Sequence, residues 1–151
     1  MKVVEISNVC ELIKKSKLTK MDDKDKFLVI KAIRALKPVS IEYQDFIKDA
    51  QEKLKDDEYD NNLKEYQDIQ KKHPGLKLSE MTIEEINKAE KLAKYFNDSN
   101  KRFSDCIEEE ANKEKELTYE KINEEAFTKF IASNDFSVEE IVLLQEALCK
   151  V

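Results

Sequence analysis

The chain carries one histidine, His73, in the turn His73-Pro74-Gly75-Leu76-Lys77-Leu78-Ser79. An imidazole serves as a catalytic base when a second group orients it, and as a metal ligand when other ligands join it. There is no HExxH and no Glu-x-x-His repeat, so helical zinc and di-metal chemistry lacks its ligand set. His73 is expected to be an exposed turn residue with a structural role. The stretch Asp56 to Asn62 places acidic and amide side chains at alternating positions, as calcium loops do. A calcium loop also needs a central glycine and a closing glutamate; counted from Asp56, those positions hold Asn61 and Gln67. Glu108-Glu109-Glu110 resembles an acidic site, but adjacent helical residues diverge by about 100°. Lys113 and Lys115 lie close by, so a solvated face is expected.

Nucleophile chemistry fares no better. Cys10, Cys106 and Cys149 are far apart and form no CxxC pair, which argues against a disulfide framework or a zinc site. Each is expected to be reduced and buried or half-buried. No serine sits in a nucleophile elbow. A single glycine removes phosphate-cradling loops. The expectation is therefore a non-enzyme with no catalytic, cofactor-binding or metal-ligating residues and no cofactor.

The same shortage of glycine describes the architecture. Gly75 is the only glycine among 151 residues and there are two prolines, so little interrupts the backbone and long helices should dominate. Charged and hydrophobic residues each make up 40%, a balance suited to elongated helical proteins. The net charge of −6 comes from both signs mixed along the chain. With no single-sign stripe, direct nucleic-acid binding is not expected. The N-terminus lacks the apolar run of a signal peptide. The longest apolar runs, Phe27–Ile30 and Ile141–Leu144, are too short to span a bilayer. A soluble, cytoplasmic protein with no membrane contact is expected.

Along the chain, Lys2 to Ile6 is β-branched and suits a short strand, followed by a helix with Val9, Leu12 and Ile13 on one face. Phe27, Ile30, Ala32, Ile33 and Leu36 then recur at helical spacing up to Pro38, where a kink or break is expected. The segment from Val39 to about Lys72 carries a stripe from Tyr43 to Ile69. Residues 55–62 interrupt that stripe. The reading taken is a continuous helix with a stutter, with a break into a loop as the alternative. Thr82-Ile83-Glu84-Glu85 is a capping box. From it, Ile86, Ala89, Ala93, Phe96, Asn100, Phe103 and Ile107 form a heptad seam. Asn100 either lies in that seam and fixes register, or faces solvent. Two matched segments around one turn predict an antiparallel helical hairpin. Glu116 to Glu120 alternates and suits an extended piece that could pair with Val3 to Ile6. Helical spacing resumes at Ile122, Ala126, Phe127, Phe130 and Ile131, and Ser137-Val138-Glu139-Glu140 caps a last helix with Ile141, Leu144 and Leu148 inward.

The order of these pieces resembles a family of small helical proteins of unassigned role encoded by tailed phages and prophages. The matching stretches are Lys24-Asp25-Lys26-Phe27 through Leu36-Lys37-Pro38, Glu116-Leu117-Thr118-Tyr119, and Phe136-Ser137-Val138-Glu139-Glu140. The resemblance implies a place in the host cytosol or the virion and carries no site residues.

The fold expected is mainly α: a long, coiled-coil-like antiparallel hairpin over 39–114, on a small helical base of 1–38 and 115–151. The whole is one domain, with a short two-stranded β-ribbon as an option. The function expected is a non-enzymatic protein–protein interaction or assembly protein, a phage virion-assembly or structural accessory in the sense of the resemblance. It would bind a protein partner or itself, with Tyr59 and Tyr95 as candidate contacts. The alternative is an acidic helical inhibitor or regulator that binds a host or nucleic-acid-binding protein.

Overall fold

The computed structural model describes residues 1–150 and is mainly α. Its helices are α1 (Val3–Lys15), α2 (Asp23–Leu54), α3 (Tyr59–Lys72), α4 (Ile83–Ala111), α5 (Glu124–Ile131) and α6 (Val138–Leu148), with one 3-10 turn at Leu78–Glu80. The chain divides into two compact units. One holds residues 1–46 and the chain from 109 onward; the other holds residues 47–108.

In the first unit, α1, the N-terminal part of α2, α5 and α6 share one core. Ile6, Val9, Leu36, Phe130 and Leu144 are completely buried in it, and Val29, Ala126 and Leu148 nearly so. The expected N-terminal strand is instead the first turn of α1. Val3, Ile6, Cys10 and Ile13 recur by three, four and three and are all buried. That shared helical face outweighs the β preference of the individual residues. The β-ribbon is likewise replaced by single bridges. Val3 N–H donates to the Lys113 carbonyl and Lys115 N–H to the Met1 carbonyl, both at 2.9 Å, which pairs Lys2 with Glu114. A second bridge pairs Ile122 with Cys149. No longer strand occurs among the described residues.

Helix α2 continues through Pro38 rather than breaking there. A proline leaves the carbonyl four residues earlier without its donor, and that residue is Arg34. Both Pro38 and Arg34 are exposed, so water can satisfy the freed carbonyl. On the opposite side, Leu36, Ser40 and Tyr43 are buried and hold the helix in register.

The break falls instead at residues 55–58, between α2 and α3. Asp56 explains it. Its carboxylate accepts the Glu58 backbone N–H at 3.1 Å and the Tyr95 hydroxyl. A short acidic side chain bonded to the backbone two residues on competes with helix propagation. Continuity over 55–62 is thus corrected: the helix resumes at Tyr59.

In the second unit, α3 and α4 touch at Lys72–Glu85, Glu65–Lys88 and Tyr59–Phe96, pairs that run in opposite senses along the two helices. The turn between them takes Gly75 at φ +76 and Leu76 at φ +51, a left-handed pair that only the glycine adopts without strain. The capping box at Thr82 forms as the sequence predicts. Glu85 N–H donates to the Thr82 hydroxyl at 3.2 Å, and the Glu85 carboxylate accepts Thr82 N–H at 3.0 Å.

Candidate functional site

Several residues singled out from sequence make contacts within the fold. His73 is buried, not exposed. Its Nε2 lies 2.9 Å from Glu85 Oε2, while Lys72 Nζ pairs with Glu85 Oε1. One carboxylate thus gathers the end of α3, the start of α4 and the capping N–H of Thr82. The Lys72 ammonium, helped by that N–H, holds the Glu85 carboxyl down to about 2. With three groups on one carboxylate, the imidazole–carboxylate pair fastens the end of α3 to the start of α4.

Tyr59 and Tyr95 are half-buried within the unit. With Tyr66 they surround Phe96, ring centroids 5.6, 5.1 and 5.9 Å away, Tyr59 and Tyr95 edge-on. Tyr95 donates to Asp56, and that bond pushes its hydroxyl pKa up. Asn100 faces solvent. The buried positions of α4 are Leu92 and Ser99, seven apart. That buried line runs beside the expected seam, whose Ile86, Ala89, Ala93, Phe96, Phe103 and Ile107 are half-buried. Glu110 pairs with Lys113 at 2.6 Å, as a solvated face would.

Cys10 and Cys149 are buried, and burial raises the pKa of both thiols; Cys106 is exposed, contrary to expectation. Beside Cys10, the Ser7 and Ser40 hydroxyls bond at 3.2 Å. A raised thiol pKa means little thiolate and little nucleophilicity. Among the described residues no cluster of metal-ligating side chains occurs, and no helix is long and apolar enough to cross a membrane.

What remains unused by the fold is a surface. On α2, Phe27 and Ile30 of the helically spaced row are exposed, at 52% and 39%, with Ile41 at 45%. The buried set is Leu28, Val29, Ala32 and Leu36. At 100° per residue, Phe27, Ile30, Arg34, Pro38 and Ile41 fall within one narrow arc. Lys31 and Lys37 flank that arc, and Lys31 Nζ sits 4.8 Å above the Phe27 ring. Between Lys26 and Ile41 there is no aspartate or glutamate, only Lys26, Lys31, Arg34 and Lys37. The charges are therefore not mixed evenly, as composition alone implied. This face was missed because Phe27 and Ile30 also satisfy helical spacing; the acid-free run was the signal that marks it.

Helix α6 shows the opposite pattern. Val138 is 78% exposed and Val142 is 50% exposed, one turn apart. Glu139 and Glu146 are exposed beside them. From Phe130 to Cys149 the only charged residues are Asp135, Glu139, Glu140 and Glu146. Compared with known protein families, curated proteins and solved structures, the chain matches none.

Proposed function

We propose that this chain is a non-enzymatic protein–protein interaction or assembly protein, with the exposed face of α2 as its contact surface. The observation that carries the reading is the exposed row Phe27, Ile30 and Ile41 set among Lys31, Arg34 and Lys37. Large apolar side chains held in water at regular spacing gain free energy when a partner covers them. Cations around them select an acidic partner and exclude a basic one. Within residues 47–108, a coiled-coil-like helical hairpin would act as a stiff element of the same molecule. The resemblance to small phage-encoded helical proteins supports an accessory role in virion assembly, in the host cytosol or the virion. An acidic inhibitor is less well supported, since Asp56 and Glu85 are engaged within the fold.

The test is a photo-crosslinking residue in place of Ile30, with Thr128, exposed on α5, as the control position. The expected outcome is a discrete protein adduct at position 30, identified by mass spectrometry. The adduct disappears when Lys31→Glu and Arg34→Glu are added. Equal labelling at both positions, or an adduct removed by nuclease, would overturn the reading.

A further inference from the structure

We infer that the occupant of the α2 face is a second copy of this chain, presenting its α6. This rests on the interaction reading above and names its partner. The argument is complementarity between two surfaces that the fold leaves open. On α2 an apolar row, Phe27, Ile30 and Ile41, is bordered by Lys31, Arg34 and Lys37 over a stretch with no acidic residue. On α6 a shorter apolar row, Val138 and Val142, is bordered by Glu139 and Glu146 in a stretch with no basic residue. Both rows are exposed in the single chain, so neither covers the other within it.

The lengths suit each other. From Phe27 to Ile41 the α2 row extends about 21 Å, and the eleven residues of α6 extend about 16 Å, at a rise of about 1.5 Å per residue. One α6 thus fits along one α2 row with the cations reaching its flanking carboxylates. Beside α6, Lys121 donates to the Glu146 backbone carbonyl at 2.6 Å rather than to its carboxylate. A contact of α2 with α6 joins two different patches, so it either closes by symmetry with two such contacts or continues as a chain of molecules.

The experiment is light scattering of the full chain over a range of concentrations, at low and high salt. The wild type is expected to exceed its 17.7 kDa monomer mass at low salt and to dissociate as salt rises. Two double variants test the contact: Lys31→Glu with Arg34→Glu, and Glu139→Lys with Glu146→Lys. All four residues are exposed, and circular dichroism confirms that each variant is folded. Each variant alone is expected to be monomeric, with self-affinity down about tenfold or more. Mixed together they are expected to associate, because the acidic α2 of one meets the basic α6 of the other. A monomeric wild type at every concentration overturns the self-contact, as does an oligomer that neither variant disturbs. If the wild type is monomeric while Ile30 still crosslinks to a different protein, the partner is wrong and the interaction reading stands. A folded α2 variant that loses affinity for a duplex or an anionic vesicle without any change in mass also overturns the proposal.

Discussion

Residues 1–46 and 109 onward close around side chains with no solvent contact, Ile6, Leu36, Phe130 and Leu144 among them, whereas the apolar residues of 47–108 are never so completely buried. Ile69 and Leu92 remain 9% and 6% exposed there, and His73 and Ser99 complete the buried set. The second unit makes up the difference with specific contacts: three tyrosines on Phe96, a hydroxyl on Asp56, and the Glu85 carboxylate shared among three donors. One unit is held mainly by excluded water and close packing. The other depends on a few directional contacts, each of which carries a larger share of its stability.

The largest effect expected of any single change lies in the first unit. Phe130→Ala removes a ring with 0% exposure, packed against Phe127 and Phe136 at centroid distances of 6.3 and 5.5 Å. The lost transfer energy and the cavity together should cost about 4 kcal/mol. Denaturant melts measure the loss, and amide exchange should show it concentrated in residues 1–46 and 109–150. A loss spread equally over both units would break the comparison.

Phe96→Ala is the counterpart in the second unit. The ring is half-buried, so its hydrophobic contribution is smaller, but three aromatic contacts disappear with it. About 2 kcal/mol is expected. The exchange protection of α3 and of α4 up to residue 108 should fall first. If Phe96→Ala costs as much as Phe130→Ala, the second unit has a true core around that ring.

These two sites also show what was readable before the structure. Phe130, Leu144, Leu148 and both capping boxes were legible, because a strong apolar period and a Ser/Thr-x-x-Glu pattern are local signals. The most buried line of α4 was not. Ala93 and Asn100 fit a heptad as well as Leu92 and Ser99 do, and only the packing of a neighbour separates them. The start of α1 was misread because Val3, Val4 and Ile6 favour strands individually, while the buried face they share with Cys10 and Ile13 is visible only once the helix is assumed. Pro38, where the sequence predicts a kink or a break, is the opposite case, since no break occurs there. Its local rule is strong, and the solvent exposure that relaxes the rule is a tertiary fact. The α2 face was legible as a charge pattern, but apolar residues at helical spacing are ordinarily assigned to a core.

Pro38 gives a smaller effect that sharpens the contrast. Pro38→Ala supplies the missing N–H to the Arg34 carbonyl and removes the ring from the helix. The unfolded chain regains some freedom, so a net gain of roughly 1–2 kcal/mol is expected. The gain should be measurable by thermal melting. A loss of stability would mean that the proline ring itself is needed to seat Leu36 and Ser40.

The smallest effect belongs to Glu85 and appears only in acid. Its folded pKa, about 2, lies below the ordinary value of 4.5, chiefly because Lys72 and then the Thr82 N–H favour the carboxylate. A depressed carboxyl pKa contributes stability that is fully present above the unfolded value and is lost as the pH falls toward the folded one. The window is therefore pH 4.5 down to about 2. Glu11 and Asp23 in the first unit are also lowered, by Lys14 and Lys26 on the same helices. Those pairs are local, exposed and three residues apart, and their loss should leave the packing of that unit in place. Glu85 instead joins two helices, so acid should release the 72–85 corner while the Phe130 core still protects its amides. Exchange rates of residues 69–90 between pH 5 and pH 2 measure this. Glu85→Gln should show faster exchange there already at pH 5 and a flatter dependence below it. An unchanged pH slope in Glu85→Gln would remove Glu85 as the cause of acid sensitivity at that corner.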